Sequence, residues 1–439
     1  MGRWPRREGR EPLIALASVG VLSMGSSSFG RAARYGAVIG VAAVAAACGG
    51  ESTTSSSGGA AASVPSGFGV TSFDSTFSAM AQLKSVTAAG HGLVGVILPD
   101  TTSSTRYVNY DAPYLAKAFQ AAGFSSSQFK IDNAQGSDAT ELADAQADIT
   151  LGASIIMFDP LDATVGQSIQ AYAQSHGVKA ISYDRATFTG TNTYYVSFDN
   201  VQVGKLIGQG FETCVQAWGI SSPKVFELDG GEDTDPNAVS FAQGYNSVIW
   251  GNTTTPEPAG TTNSMGYTLV GDQITPGWTN ATGATIFQQQ FTAHPNINAT
   301  VEANDGLANA VITDLKNAGV KAKKIPTVGQ DATLQGMEHV LNGYQCGSVY
   351  KAVYLEAQDA VAVATILRAG LALPTSLVNG TTKPPSGVAG TTQPASLLTP
   401  TWVTASNMAT TVIKDNFVSA SALCTAVGAS VCAAANISG

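Results

Sequence analysis

In the stretch Val178-Lys179-Ala180-Ile181-Ser182-Tyr183-Asp184-Arg185 an apolar run gives out into an adjacent acid and base. A helical segment, Val165 to Ser175, is stopped by Gly177 just before it, so the run reads as a buried parallel strand. Open α/β sheets collect ligands at the carboxyl ends of their strands, where Asp184 and Arg185 stand. Asp accepts hydrogen bonds and Arg offers a rigid fork of donors, a pairing suited to a small molecule with vicinal hydroxyls. The expectation is of two lobes that close on a sugar around this pair.

Strand and helix alternate on both sides of that stretch. Upstream, Leu93–Leu98, Phe129–Ile131 and Ile155–Phe158 read as strands. Helical spacing covers Ser75–Ala88, Tyr110–Ala122 (stopped at Gly123) and Ala139–Ile149. Downstream come a strand at Tyr194–Ser197 and a long helix at Asn200–Trp218. Strands at Val225–Leu228, Thr268–Val270, Ala299–Glu302 and Ile325–Val328 then alternate with helices at Ala238–Ile249, Ala281–Phe291 and Leu307–Ala318. A strand at Ser348–Tyr350, a helix at Tyr354–Ala369, a Gly/Thr/Pro-rich loop over Leu371–Pro394 and a short strand at Leu397–Pro400 follow. The pattern predicts an α/β chain of two doubly wound three-layer lobes, dividing near Ser197-Phe198-Asp199 and linked by more than one crossing.

Composition narrows the functional classes. The 439 residues are 44% hydrophobic and only 12% charged, with a net charge of −9. The first 47 residues carry Arg3, Arg6, Arg7, Arg10, Arg31 and Arg34 against Glu8 and Glu11, so the remainder is more acidic still. An acidic body argues against nucleic acid. Arg31 and Arg34 precede an apolar small-residue run, Tyr35–Ala47, that ends at Ala45-Ala46-Ala47-Cys48-Gly49-Gly50. This reads as a signal peptide with a lipoprotein-type boundary, Cys48 being the lipidated residue, although Ala45 stands where Leu is usual. A second apolar run, Leu13–Met24, leaves Met24 open as the start. Glu51–Ser66 reads as a flexible tether. The remaining cysteines, Cys214, Cys346, Cys424 and Cys432, allow three pairings; Cys424–Cys432 with Cys214–Cys346 is favoured.

Catalytic signals are weak. His91, His176, His294 and His339 are scattered, and the spacing shows no nucleophile triad, Walker loop, dinucleotide fingerprint or metal cluster. Asp229-Gly230-Gly231 after a strand is a lone Gly pair, more often a turn. Polar or aromatic clusters do follow nearly every strand: Arg106-Tyr107, Asp184-Arg185, Asp233 to Asn237, Asp272-Gln273 with Gly277-Trp278, Asn304-Asp305, Gln330-Asp331 and Lys351. Each alone fits helix capping. Seven of them at strand ends, across two units, make capping a poor account of the set. Carboxylates, amides and a guanidinium saturate sugar hydroxyls, and aromatic faces, here Tyr107 and Trp278, pack the C–H side of a ring.

Taken together, Tyr183-Asp184-Arg185, Tyr195 to Asn200, Leu269 to Gln273 with Gly277-Trp278, Ala303-Asn304-Asp305, Gly329 to Ala332 and Val349-Tyr350-Lys351 resemble the D-xylose-binding proteins of bacterial sugar ABC transporters. The similarity runs from about Leu93 to Asp415. It implies the type I periplasmic-binding-protein fold, sugar contacts from Arg106, Asp184, Arg185, Asp235, Asn237, Asn304, Asp331 and Lys351, and packing by Tyr107 and Trp278. Pro236 departs from the pattern, which typically has a polar residue there, and Gly251–Gly266 is a longer, Thr-rich excursion. The expected layout is a signal peptide over 1–47, a tether and short helix over 48–90, an N-lobe over 91–198 and a C-lobe over 199–352. The chain should return to the N-lobe over 353–395 and to the C-lobe over 396–439. The expected function is capture of a monosaccharide, xylose or a similar aldose, and delivery to an ABC permease by a monomer anchored through Cys48 to the outer face of the bacterial cytoplasmic membrane. No cofactor, metal or chemistry is expected; a sugar sensor for a membrane receptor and a carbohydrate-active enzyme are the alternatives.

Overall fold

The apolar runs become the strands of sheets in two lobes of one chain. The computed structural model describes residues 62–188, 193–232, 234–252, 257–385 and 388–439. The expected signal peptide, Cys48 and most of the tether lie outside the described residues, as does Asp233. Among the described residues no helix is long and apolar enough to cross a membrane.

In the N-lobe the chain runs α1 (Lys84–Ala89), β1 (Leu93–Leu98), α2 (Ala112–Ala121), β2 (Phe129–Asn133), α3 (Asp138–Thr150), β3 (Ala153–Phe158), α4 (Ala163–Ser175), β4 (Lys179–Tyr183) and β5 (Thr193–Phe198). In the C-lobe follow α5 (Asn200–Ala217), β6 (Lys224–Gly230), α6 (Pro236–Ile249), β7 (Thr268–Thr275), α7 (Asn280–Ala293), β8 (Ala299–Glu302), α8 (Asp305–Asn317), α9 (Leu334–Leu341) and β9 (Ser348–Tyr350). The last elements are α10 (Val353–Arg368), β10 (Gly380–Thr382), β11 (Gln393–Leu398), β12 (Thr401–Val403), α11 (Ala420–Val427) and α12 (Ala429–Ala434).

The N-lobe sheet has the order β10-β11-β5-β4-β3-β1-β2, parallel except for the β10–β11 pair. Strand order reverses between β1 and β3, which opens a crevice at their carboxyl ends. The C-lobe holds a parallel sheet β7-β6-β8 and an antiparallel pair β12-β9. The chain passes between lobes three times, at β5 to α5, β9 to α10 and β11 to β12. Burial follows this wiring. One N-lobe core lies against α3 and α4, around Ile97, Ile156 and Ile169. The other joins α1, α2 and α10 to the C-terminal segment, and α10 is buried along almost its whole length.

In the C-lobe core, α5 and α6 approach backbone to backbone. A Cβ on Gly204 would sit 2.1 Å from the Phe241 carbonyl oxygen, and one on Gly244 would sit 2.4 Å from that of Val201. Only glycine allows this contact, and it sets where the N-terminal half of α6 lies. Of the three possible connectivities, Cys214–Cys346 with Cys424–Cys432 is the one formed.

Three expectations need correction. Ile325–Val328 is not a strand: Pro326 has no N–H to give a ladder, and the Val328 N–H donates to the Glu302 carboxylate at 3.0 Å. The loop over Leu371–Pro394 contains β10, and its last residues begin β11. The return at 395/396 cuts through β11, which pairs with β5 in the N-lobe as far as Leu398; the C-lobe gains only β12. The tail beyond β12 then packs into the core shared with α2 and α10.

Candidate ligand-binding cleft

Strand ends from both lobes converge on a single cleft. At the end of β1 the buried Asp100 accepts hydrogen bonds from the Thr102 and Ser103 amides (2.7 and 2.6 Å) and from Ser103 Oγ (2.6 Å). The turn it fixes leads into one π-helical turn, Tyr107–Asp111. Its five-residue spacing brings Asp111 against Arg106, which donates to both carboxylate oxygens at 2.9 and 2.7 Å. Arg106 also donates to Asp184 (2.8 Å) and Glu356 (2.7 Å). Burial acts to lower the Arg106 pKa, but Asp111, Asp184 and Glu356 outweigh it and hold it well above the ordinary guanidinium range. One cation among three carboxyls leaves excess negative charge, and burial pushes the Glu356 carboxyl up to about 8.

Asp184 follows β4 with φ at 58°, in the left-handed region. Its carboxylate accepts from Arg106, from the Tyr107 hydroxyl at 3.3 Å and from Asn237 Nδ2 at 3.4 Å. Burial raises its pKa, yet Arg106, Lys351 and Arg185 overcome that and hold it below the usual carboxylate value. Arg185 donates to Asp159 at 3.2 Å and lies 3.3 Å from Asp235 across the cleft, where its Nε has no hydrogen bond. Both guanidinium groups sit over the Tyr107 ring, at 5.6 and 5.7 Å from its centroid.

The C-lobe supplies the facing wall. Asp235 caps α6 by accepting from the Asn237 and Ala238 amides (2.8 and 3.2 Å), and its second oxygen accepts from Trp278 Nε1 at 2.8 Å. Pro236 occupies the first helical position, where its missing N–H costs nothing, so Asn237 still faces the cleft. Asn200 Nδ2 donates to Asn237 Oδ1 at 2.7 Å and orients it. The Trp278 indole lies on Gly230-Gly231; a Cβ on Gly230 would stand 1.9 Å from the ring. The Gly pair dismissed as a turn is therefore the shelf for this aromatic. Asn304 caps α8 at 2.9 Å from the Leu307 amide. Lys351 pairs with Asp331 at 3.3 Å, and Ser104 reaches Asp331 from the other lobe at 3.2 Å.

Nine of the ten predicted residues, Arg106, Tyr107, Asp184, Arg185, Asn237, Trp278, Asn304, Asp331 and Lys351, line one cavity of about 20 Å3. Asp235 stands one step behind it, holding Arg185 and Trp278. Ser103, Ser104, Phe241 and Gln330 complete the lining; of these only Gln330 belonged to a cluster seen in the sequence. The carboxyls that hold the arginines, Asp111, Asp159 and Glu356, were also missed. Asp159 follows β3 directly, and Glu356 stands with Gln358 and Asp359 in a largely apolar helix, so both left a trace.

A family model described as a periplasmic binding protein domain matches residues 94–371. The chain belongs to this family. The D-xylose-binding periplasmic protein of Escherichia coli (strain K12) is 30% identical to this periplasmic binding protein over 288 residues, 65% of this chain and 80% of that one. The multiple sugar-binding periplasmic receptor ChvE of Rhizobium radiobacter is 27% identical over 291 residues, 64% and 80% of the two chains. In fold, the chain is similar to a carbohydrate transporter solute binding protein from Chloroflexus aurantiacus solved in complex with D-glucose, with a TM-score of 0.61, 24% identity, and coverage of 75% of this chain and 97% of that one. This periplasmic binding protein is thus a carrier of a ligand and not an enzyme. Its cleft is closed: Ser104 meets Asp331, Arg185 meets Asp235 and Asn237 meets Asp184, each pair joining the two lobes. About 20 Å3 is room for one water, so a larger ligand enters only when the lobes part.

Proposed function

We propose that this protein captures a monosaccharide of the aldose class, xylose or a near relative, and delivers it to an ABC permease from a lipid anchor at Cys48. The carrying observation is the set of buried polar and charged groups that meet across the cleft. Arg185 Nε reaches the Asp235 carboxylate as an ion pair at 3.3 Å and Ser104 donates to Asp331, each joining the lobes, while Gln330 Oε1 is left without a hydrogen-bond partner. Buried polar atoms of that kind are costly unless a ligand satisfies them. A polyhydroxylated ring does so with donors and acceptors on every edge, while Trp278, Phe241 and Tyr107 offer apolar faces. A ligand then favours closure through the contacts it makes in both lobes. The relatives named as D-xylose-binding and multiple sugar-binding proteins support the same class.

The test is a thermal-shift and calorimetric screen of aldopentoses and aldohexoses on the full chain. Stabilisation by at least one aldose is expected; none by any monosaccharide would sink the reading. Similarity to a multiple sugar-binding receptor favours a second reading, a sensor of broad specificity, which several aldoses bound within tenfold of one another would support. The anchor is tested by membrane fractionation: Cys48→Ser should release the protein, and continued membrane association would remove Cys48 as its attachment.

A further inference from the structure

Beside the inner cavity lies a larger one of about 460 Å3, open between residues 102–110 of the N-lobe and the starts of α7, α8 and α9. Ser103, Ser104, Asn304 and Asp331 line both. The two are therefore chambers of one cleft, separated by the Ser104–Asp331 hydrogen bond. The inner chamber has the volume of one water, whereas the outer falls in the size range of small-molecule sites.

Hydroxyls and amides dominate the outer wall, among them Thr102, Asn109, Asn280, Asn309, Thr333 and Gln335. Such groups donate and accept at once, as sugar hydroxyls do. Asn309 Oδ1 is buried without a hydrogen-bond partner, an acceptor that a ligand hydroxyl would satisfy. Tyr110 adds an aromatic side, fixed by stacking on Phe417 at 4.0 Å and by its hydroxyl donating to the Phe417 carbonyl at 3.1 Å. The charged residues of this wall are Asp331 and Glu338, and no Lys or Arg is among its described lining residues. A phosphorylated sugar or a sugar acid is therefore disfavoured by like charge, despite the helix starts nearby.

We infer that the cleft, once its lobes have parted to widen the inner chamber, takes a neutral glycoside of two units, one ring among the inner-chamber residues and the second in the outer chamber. This rests on the sugar-binding reading above and extends its ligand from monosaccharides to short saccharides. Isothermal titration of the full chain with D-xylose, D-glucose, xylobiose, cellobiose and maltose tests it. At least one disaccharide should bind tenfold or more tighter than the monosaccharide it is built from. Asn309→Leu and Gln335→Leu should remove that gain while leaving the monosaccharide Kd and the Tm without sugar unchanged. Disaccharides that bind no tighter than their monosaccharides, or variants that weaken both alike, overturn the inference and leave the monosaccharide reading standing. If no sugar of either size binds, the underlying reading falls with it.

Discussion

Three cleft residues hold backbone conformations that side chains rarely adopt: Asp184 at φ 58°, Trp278 at 56° and Asp331 at 93°. Strain of this kind persists where surrounding bonds over-determine it. Asp184 illustrates this, since its side chain and carbonyl are held by Arg106, Tyr107, Tyr195 and Asn237. Asp184→Asn keeps size and tolerance of the left-handed region but removes the charge. Arg106 retains Asp111 and Glu356, so the fold should persist. We predict a loss of about 1.5–3 kcal/mol in sugar binding, ten- to hundredfold in Kd, with unchanged circular dichroism. A Kd within twofold of the parent would take Asp184 out of the site. Trp278→Ala strips the ring face from its Gly230-Gly231 shelf, and should weaken every ring sugar by about 1 kcal/mol or more. Equal affinity in calorimetry would reject the stacking role.

At the scale of elements, the α5–α6 contact and the Cys214–Cys346 link make the C-lobe one rigid wall for the cleft. Gly204→Ala forces a methyl against the Phe241 carbonyl, so overpacking of about 1–3 kcal/mol is expected. Because the Phe241 ring lines the cleft, denaturant midpoint and sugar affinity should fall together; a lower midpoint with unchanged affinity would separate the packing from the site. The disulfides should differ in worth. Loop-closure entropy assigns about 5 kcal/mol to Cys214–Cys346, whose ends are 132 residues apart, and about 2.5 kcal/mol to Cys424–Cys432, 8 apart. Serine pairs at each site, compared by urea unfolding, check that order. The sequence carried the strands well because fully buried parallel strands are continuous apolar runs, as at Leu93–Leu98 and Ile155–Phe158. It carried the strand-end residues for a related reason, since sheet ends meet the cleft. What it could not carry was tertiary. Ile325–Val328 lies beside β8, where the Thr300 amide donates to the Pro326 carbonyl, but Pro326 has no N–H and the Val328 N–H goes to a side chain; β10 is a short polar edge strand, and Glu356 reaches Arg106 from a helix 250 residues away. No local pattern marks such pairings.

Across the whole molecule, burial of carboxyl groups dictates an unusual dependence of stability on pH. Desolvation pushes Glu141, Glu302 and Asp359 up to about 8 and Asp305 up to about 7. Burial also raises Glu227 and Glu356, the latter against the pull of Arg106. Each of these groups binds its proton more tightly folded than unfolded. Their contribution to stability is therefore complete below about pH 4 and is lost as pH rises through 7 to 8. Other groups act in the opposite direction, His339 and Asp184 among them. His339 is held down to about 4 by burial and by Lys316, so its contribution is present above about 6.5 and is lost as pH falls through 4. Asp184, held low by its cations, matters only in stronger acid. Above pH 6.5 His339 no longer opposes the raised carboxyls, and between 5.5 and 6.5 they outnumber it. The net charge of −9 adds to the effect, because each buried proton lost deepens an existing negative charge. Tm should therefore fall steadily from pH 5.5 to pH 8.5 in scanning calorimetry, with protons released on unfolding near pH 6. A Tm that is flat or rises over this range would show that the buried carboxyls are ionised in the folded protein, and that hydrogen bonds such as those from the Leu161 amide to Glu141 and the Val328 amide to Glu302 outweigh their burial.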